Sequence, residues 1–195
     1  FQNQLILEES RDNAIKDFDK NKFDPKVFQE ASVTININDI SAQGKIRLKG
    51  DRDIHWRDRD NSSYKINLSK DNYILNMNKF SLQKPRARNY IHEWIYLELA
   101  KIEEIIAIDY KFVNLNINGE SYGLYVLEEG FNKDLLEKNG RRNGPIFSLN
   151  ESLSTNPDLP VFKVYNEETW MKKENIEIYK KAKTSLQNYF EGKIE

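Results

Sequence analysis

Apolar residues in this chain follow two periods, and the change from one to the other marks its elements. Residues 4–20 (QLILEESRDNAIKDFDK) place Leu5, Leu7, Ala14, Ile15 and Phe18 at helical spacing. Asp24-Pro25 ends that segment, because the residue before a proline is driven out of helical conformation. The period then drops to two. SVTININD (32–39) puts Val33, Ile35 and Ile37 on one face. GKIRLKG (44–50) puts Ile46 and Leu48 on one side, with Lys45, Arg47 and Lys49 on the other. SSYKINLS (62–69) gathers Tyr64, Ile66 and Leu68 against Ser63, Lys65 and Asn67, and KFSLQ (79–83) is a short fourth strand. Strands in such close succession predict an antiparallel sheet.

Pro85 closes that run, and residues 87–106 read as one long helix, apolar on nearly every side. Such a helix is expected to be covered by the sheet and by a second element. YKFVNLNI and SYGLYVLEE follow as strands joined by Asn118-Gly119, a two-residue hairpin signal. After Gly130 the pattern predicts a short helix at 131–140, a strand within 144–149, a loop at 150–160 and an amphipathic helix over 168–190. The expected fold class is α+β: a helical segment at 1–25, an antiparallel sheet with one long packed helix at 26–130, and a mainly helical connecting segment at 131–195.

Composition narrows the function. Lys and Arg number 30 against 31 Asp and Glu, a net charge of -1, which argues against a nucleic-acid partner. No apolar run approaches the roughly 18 residues of a membrane-spanning helix. The absence of cysteine excludes disulfides, thiolate metal sites and cysteine nucleophiles. Two histidines, His55 and His92, are too few and too far apart to predict a metal site.

Four places can carry chemistry. Arg47 and Lys49 precede Gly50, where a strand-end glycine would let a phosphate approach two cations; the alternative is a solvated strand face with a turn glycine. Lys65 projects from a strand toward a helix bearing Glu93 or Glu98, either as a phosphate-holding lysine or as an exposed one. Glu93, between His92 and Trp94, would need a cationic partner if buried. The strand ending in Glu128, Glu129 and Gly130 stops where the chain changes character, a usual place for a ligand cleft.

Taken together and in order, IRLKGDRDIHW, SSYKINL, NKFSLQKPRARNYIHEWIYLELAK and YKFVNLNINGESYGLYVLEEGFNKDLLEKNGRRNGPIF with the SLNE after it resemble the CotH kinase family. That resemblance implies a protein-kinase-like N-lobe and a phosphotransferase using ATP with Mg2+ or Mn2+ on a protein substrate. It implies that Arg47, Lys49, Gly50 and Lys65 face the phosphates and that Glu93 orients a lysine. Leu127 to Gly130, with Glu128 and Glu129, would form a hinge beside adenine. It also implies an extracellular, spore-coat or cell-surface location. The family's metal-binding and catalytic aspartates are expected beyond Glu195, in a longer protein of which this chain is a piece, with no catalytic acid here; neither Asp134 nor Asp158 is a convincing substitute. Asn61 and Gly130 stand where the family often has lysine and usually histidine. Those departures favour the alternative of a non-catalytic, pseudokinase-like interaction module.

Overall fold

A computed structural model describes residues 2–150 and 161–193. The chain divides after Gly130 into two compact units, Phe1–Gly130 and Phe131–Glu195.

The first unit opens with helix α1 (Gln2–Phe18). Six strands follow: β1 (Ala31–Ile37), β2 (Ile40–Leu48), β3 (Tyr64–Leu68), β4 (Lys79–Gln83), β5 (Tyr110–Ile117) and β6 (Glu120–Glu129). They form one curled sheet in the order β1-β2-β3-β4-β6-β5, antiparallel throughout. Asn118 (φ 53°) and Gly119 (φ 86°) turn β5 into β6 with both central residues left-handed, the geometry that matches strand twist.

Alternation along each strand sorts residues between two faces. Leu48, Tyr64, Ile66, Leu68, Phe80, Leu82, Tyr125 and Leu127 point to the inner face and make the core. Helix α1 packs there through Ala14, fully buried, with Leu7, Ile15 and Phe18 against the cluster. Trp56, also fully buried, is ringed by Phe18, Phe23 and Phe28, with Phe23 stacked on it at 4.8 Å between centroids. Two polar residues tie α1 down: Ser10 Oγ accepts from Gln29 N (3.1 Å), and Arg11 donates to Trp56 O (3.0 Å) and Ser62 Oγ (2.9 Å).

The long packed helix expected over 87–106 is not formed. Pro85–Arg88 make a 3-10 turn, Asn89 and Tyr90 take left-handed φ (53° and 62°), and helix α2 runs only from His92 to Ile102. Its end has a physical reason: Glu103 and Glu104 place negative charge at the C-terminal end, where the helix dipole disfavours it, and Glu104 turns left-handed. Nor is α2 covered within its unit. None of its residues is buried, and Trp94, Ile95, Tyr96, Leu99 and Ile102 are all exposed.

The second unit comprises α3 (Lys133–Lys138), strands β7 (Phe147–Leu149) and β8 (Phe162–Val164) paired antiparallel, α4 (Glu167–Trp170) and α5 (Ile176–Phe190). Asn132 caps α3, its side chain accepting from Leu135 N at 3.1 Å. The single closing helix expected over 168–190 is broken after Trp170, where Asn175 Nδ2 donates to Thr169 O (2.8 Å) and ties the connecting turn to α4. This unit is therefore less purely helical than expected, since β8 supplies β7 with a partner. The predicted loop at 150–160, with Asp158, lies outside the described residues apart from Asn150.

Candidate functional site

On the outer face of the sheet, register aligns polar side chains in rows. One row crosses five strands as Arg47, Lys65, Ser81, Glu128 and Tyr110. The row beside it runs Lys45, Asn67, Lys79. On the other side, Gln83 pairs with Val126, and Lys49 N donates to Ser63 O (3.0 Å), extending the β2–β3 ladder by a residue. The period of two that buries Leu48 and Ile66 inside thus places Arg47 and Lys65 together outside.

Glu128, only 8% exposed, is the centre of this face. Lys49 Nζ lies 3.5 Å from one carboxylate oxygen, Arg88 Nε lies 3.6 Å from the other, and Gln83 Nε2 donates to that second oxygen. Both ion pairs exceed ordinary charge-assisted hydrogen-bond length, so the acid is shared between two cations and clamped by neither. Burial holds the Lys49 ammonium below its usual pKa, more strongly than the Glu128 charge opposes. Burial also pushes the Tyr110 phenol up, to about 12, with Glu128 and then Glu93 adding to it.

Three polar atoms around that carboxylate, Gln83 Oε1, Arg88 Nε and Tyr110 OH, are buried without a hydrogen-bond partner. Native structures rarely leave such groups unsatisfied, so this cluster has hydrogen-bonding capacity to spare for water or a ligand. Nearby, Lys65 is held below its usual pKa first by desolvation and then by the cations Arg47, Lys79 and Lys49. Glu30 is the acid that opposes this on Lys65, and the cations still outweigh it there.

Gly50 (φ 111°) closes the site at the end of β2. A Cβ there would lie 2.5 Å from His55 Cβ, so only glycine lets the loop fold onto the imidazole. His55 Nδ1 lies 3.0 Å from Ser63 Oγ, and its pKa is lowered first by burial, then by Lys49 and Arg88.

The structure therefore brings Arg47, Lys49, Gly50, Lys65 and Glu128 together. Glu129 alternates to the opposite face, where its carboxylate accepts from Asp109 N (2.9 Å). Gly130 N donates to Lys79 O (2.8 Å), fixing the end of β6. β6 lies between β4 and β5, so the backbone of Leu127 to Glu129 has neighbours on both sides. Among the described residues Glu93 has no ion pair with a lysine, whereas Glu128 reaches Lys49. Gln83, Arg88 and Tyr110 were not among the sequence candidates, and His55 was weighed only as a metal ligand. Gln83 could have been found by extending the alternation of Lys79 and Ser81; Arg88 had no signal, since a 3-10 turn and two left-handed residues bring it in.

The cationic row and the unsatisfied Arg88 Nε fit the phosphates of a nucleotide. Among the described residues no three His, Asp or Glu side chains come together to hold Mg2+ or Mn2+. No helix of the described residues is long and apolar enough to cross a membrane. No curated protein matches the chain. The family model described as CotH kinase protein matches residues 46–193, from near the end of β2 to the end of the described chain, and the chain belongs to that kinase-like family.

Proposed function

We propose that the outer face of the β2–β3–β4–β6 sheet is the phosphate-holding part of the nucleotide site of a protein kinase, whose reaction moves the γ-phosphoryl group of ATP to Ser or Thr of coat or surface proteins. The observation that carries this reading is the surplus of cations around one buried acid, together with the unsatisfied donor on Arg88. Arg47 and Lys65 supply fixed positive charge, and Lys49 is oriented by Glu128. Preorganised charge of this kind stabilises the transferring phosphoryl group because it is in place before the charge develops. Gly50 permits close backbone approach, and the neutral His55 buttresses that loop without adding a further charge to the cluster.

The test is calorimetric titration of the full chain with ATP. Lys65→Ala and Arg47→Ala are each expected to weaken binding about tenfold, the loss of one charge-assisted contact. Glu93→Ala, which removes no cation and no partner of one, should leave binding within about twofold. Absence of ATP binding, or equal binding by all three variants and the parent, defeats the assignment of this face. Transfer of the γ-phosphate to protein Ser or Thr is measured separately with labelled ATP. Tight ATP binding without transfer would leave the non-catalytic reading standing.

A further inference from the structure

We propose that the cleft between α1 and the tip of the β5–β6 hairpin is a second binding site, on the inner side of the sheet, for a small organic monoanion: a carboxylate carried on a short apolar body. The cleft holds about 330 Å³ and is lined by Leu7, Arg11, Val33, Ile46, Tyr64 and Tyr122 among others. That volume is at the small end of ligand pockets. The sheet separates it from the Glu128 cluster, so it does not depend on the kinase reading.

Arg11 carries the argument. It is 8% exposed, and a buried guanidinium ordinarily has a carboxylate partner. Arg11 has only neutral acceptors, Trp56 O through Nε and Ser62 Oγ through Nη2, and no acid of the described residues lies within ion-pair distance. Among the described residues Nη1 has no hydrogen-bond acceptor. Asp58, the acid whose pKa responds to Arg11, already accepts from Asn61 Nδ2 and Asp60 N. At the rim, Arg59 Nη2 faces Glu8 Oε1 at 3.6 Å, and those two charges cancel. Burial keeps the Tyr64 and Tyr122 phenols above their ordinary pKa, so neither adds a negative charge at neutral pH. Among the side chains lining the cleft, Arg11 is thus the cation without an ion-paired acid, which suits a carboxylate better than a dianionic phosphate. Leu7, Val33, Ile46 and Ile117 supply the apolar wall for the body of the ligand.

The probe is phenylacetate, titrated into the 15N-labelled full chain and followed by amide shifts, with 2-phenylethanol as its neutral counterpart. Saturable shifts at Leu7, Val33 and Ile117 are expected. The neutral alcohol should bind about tenfold more weakly, as expected for losing the contact to a charged donor. Val33→Phe and, independently, Ile117→Phe fill the cleft and should abolish the shifts; circular dichroism identifies whichever variant stays folded. Inorganic tripolyphosphate should not displace phenylacetate. The proposal is overturned by no saturable shift, by equal affinity for acid and alcohol, by unchanged binding in a folded cleft-filling variant, or by displacement with tripolyphosphate.

Discussion

Glu128 illustrates how one residue is held by three neighbours that are distant in sequence. Its carboxylate faces Lys49, Arg88 and Gln83. Glu128→Gln keeps the shape but leaves two cations without their acid, and is expected to lower unfolding free energy by about 2 kcal/mol in urea titrations. Glu93→Gln, with no ion pair to lose, should stay within about 0.5 kcal/mol. His55 gives a pH signature. Its folded pKa lies below the ordinary 6.5, because burial and the charges of Lys49 and Arg88 oppose protonation. Below pH 6.5 the unfolded chain therefore binds the proton that the folded chain resists. Stability should fall as pH drops from 6.5 through the folded value. His55→Gln should remove that slope, which is read as the difference between the two proteins' urea midpoints across pH 4.5–7.5. A parallel pH dependence in both would show that the histidine does not titrate as its surroundings dictate.

At the scale of elements, helix α2 separates what periodicity reveals from what it conceals. All six strands of the sheet were legible, since alternating side chains such as Val33, Ile35 and Ile37 leave a strand few other ways to bury an apolar face. The cationic row followed directly, because Arg47 and Lys65 occupy the positions that alternate with Ile46 and Ile66. Residues 87–106 were misread for a different reason: apolar content signals burial only when a partner surface exists. The left-handed Asn89 and Tyr90 depend on backbone folding that no side-chain pattern encodes. Arg88 became a site residue only once the chain had folded back on Glu128, whereas Gln83 continues the alternation of Lys79 and Ser81. Because α2 is exposed, Leu99→Ser and Ile102→Ser should each change stability by no more than about 0.5 kcal/mol. Trp56→Ala, at a fully buried position, should cost about 3–5 kcal/mol. Chemical denaturation of the three variants decides it: a loss above about 2 kcal/mol at Leu99 or Ile102 would show that α2 is covered in solution.

At the scale of the whole molecule, the sheet-bearing unit is organised around α1. The curled sheet has an apolar inner face, and a sheet of this kind is stable only when that face is covered. Helix α1 provides cover through Leu7, Ala14, Ile15 and Phe18, and Arg11 and Ser10 fasten it to Trp56, Ser62 and Gln29. The N-terminal helix is thus a structural part of the same unit as the Glu128 cluster, although it touches the opposite face. Removal of residues 1–20 would strip the helix from the inner face and Phe18 from the Trp56 ring, exposing apolar area equivalent to several core side chains. At about 1.5–3 kcal/mol for each buried aliphatic or aromatic residue, the loss equals or exceeds the typical stability of a domain. The truncated chain is therefore expected to lose cooperative unfolding and to bind a hydrophobic dye, and ATP binding on the outer face should disappear with it. Retention of a sharp unfolding transition and unchanged ATP affinity would mean that the sheet closes its inner face without α1. The finer substitution Phe18→Ala tests the same dependence without deleting the helix: it should lower the unfolding midpoint while leaving ATP affinity intact under native conditions.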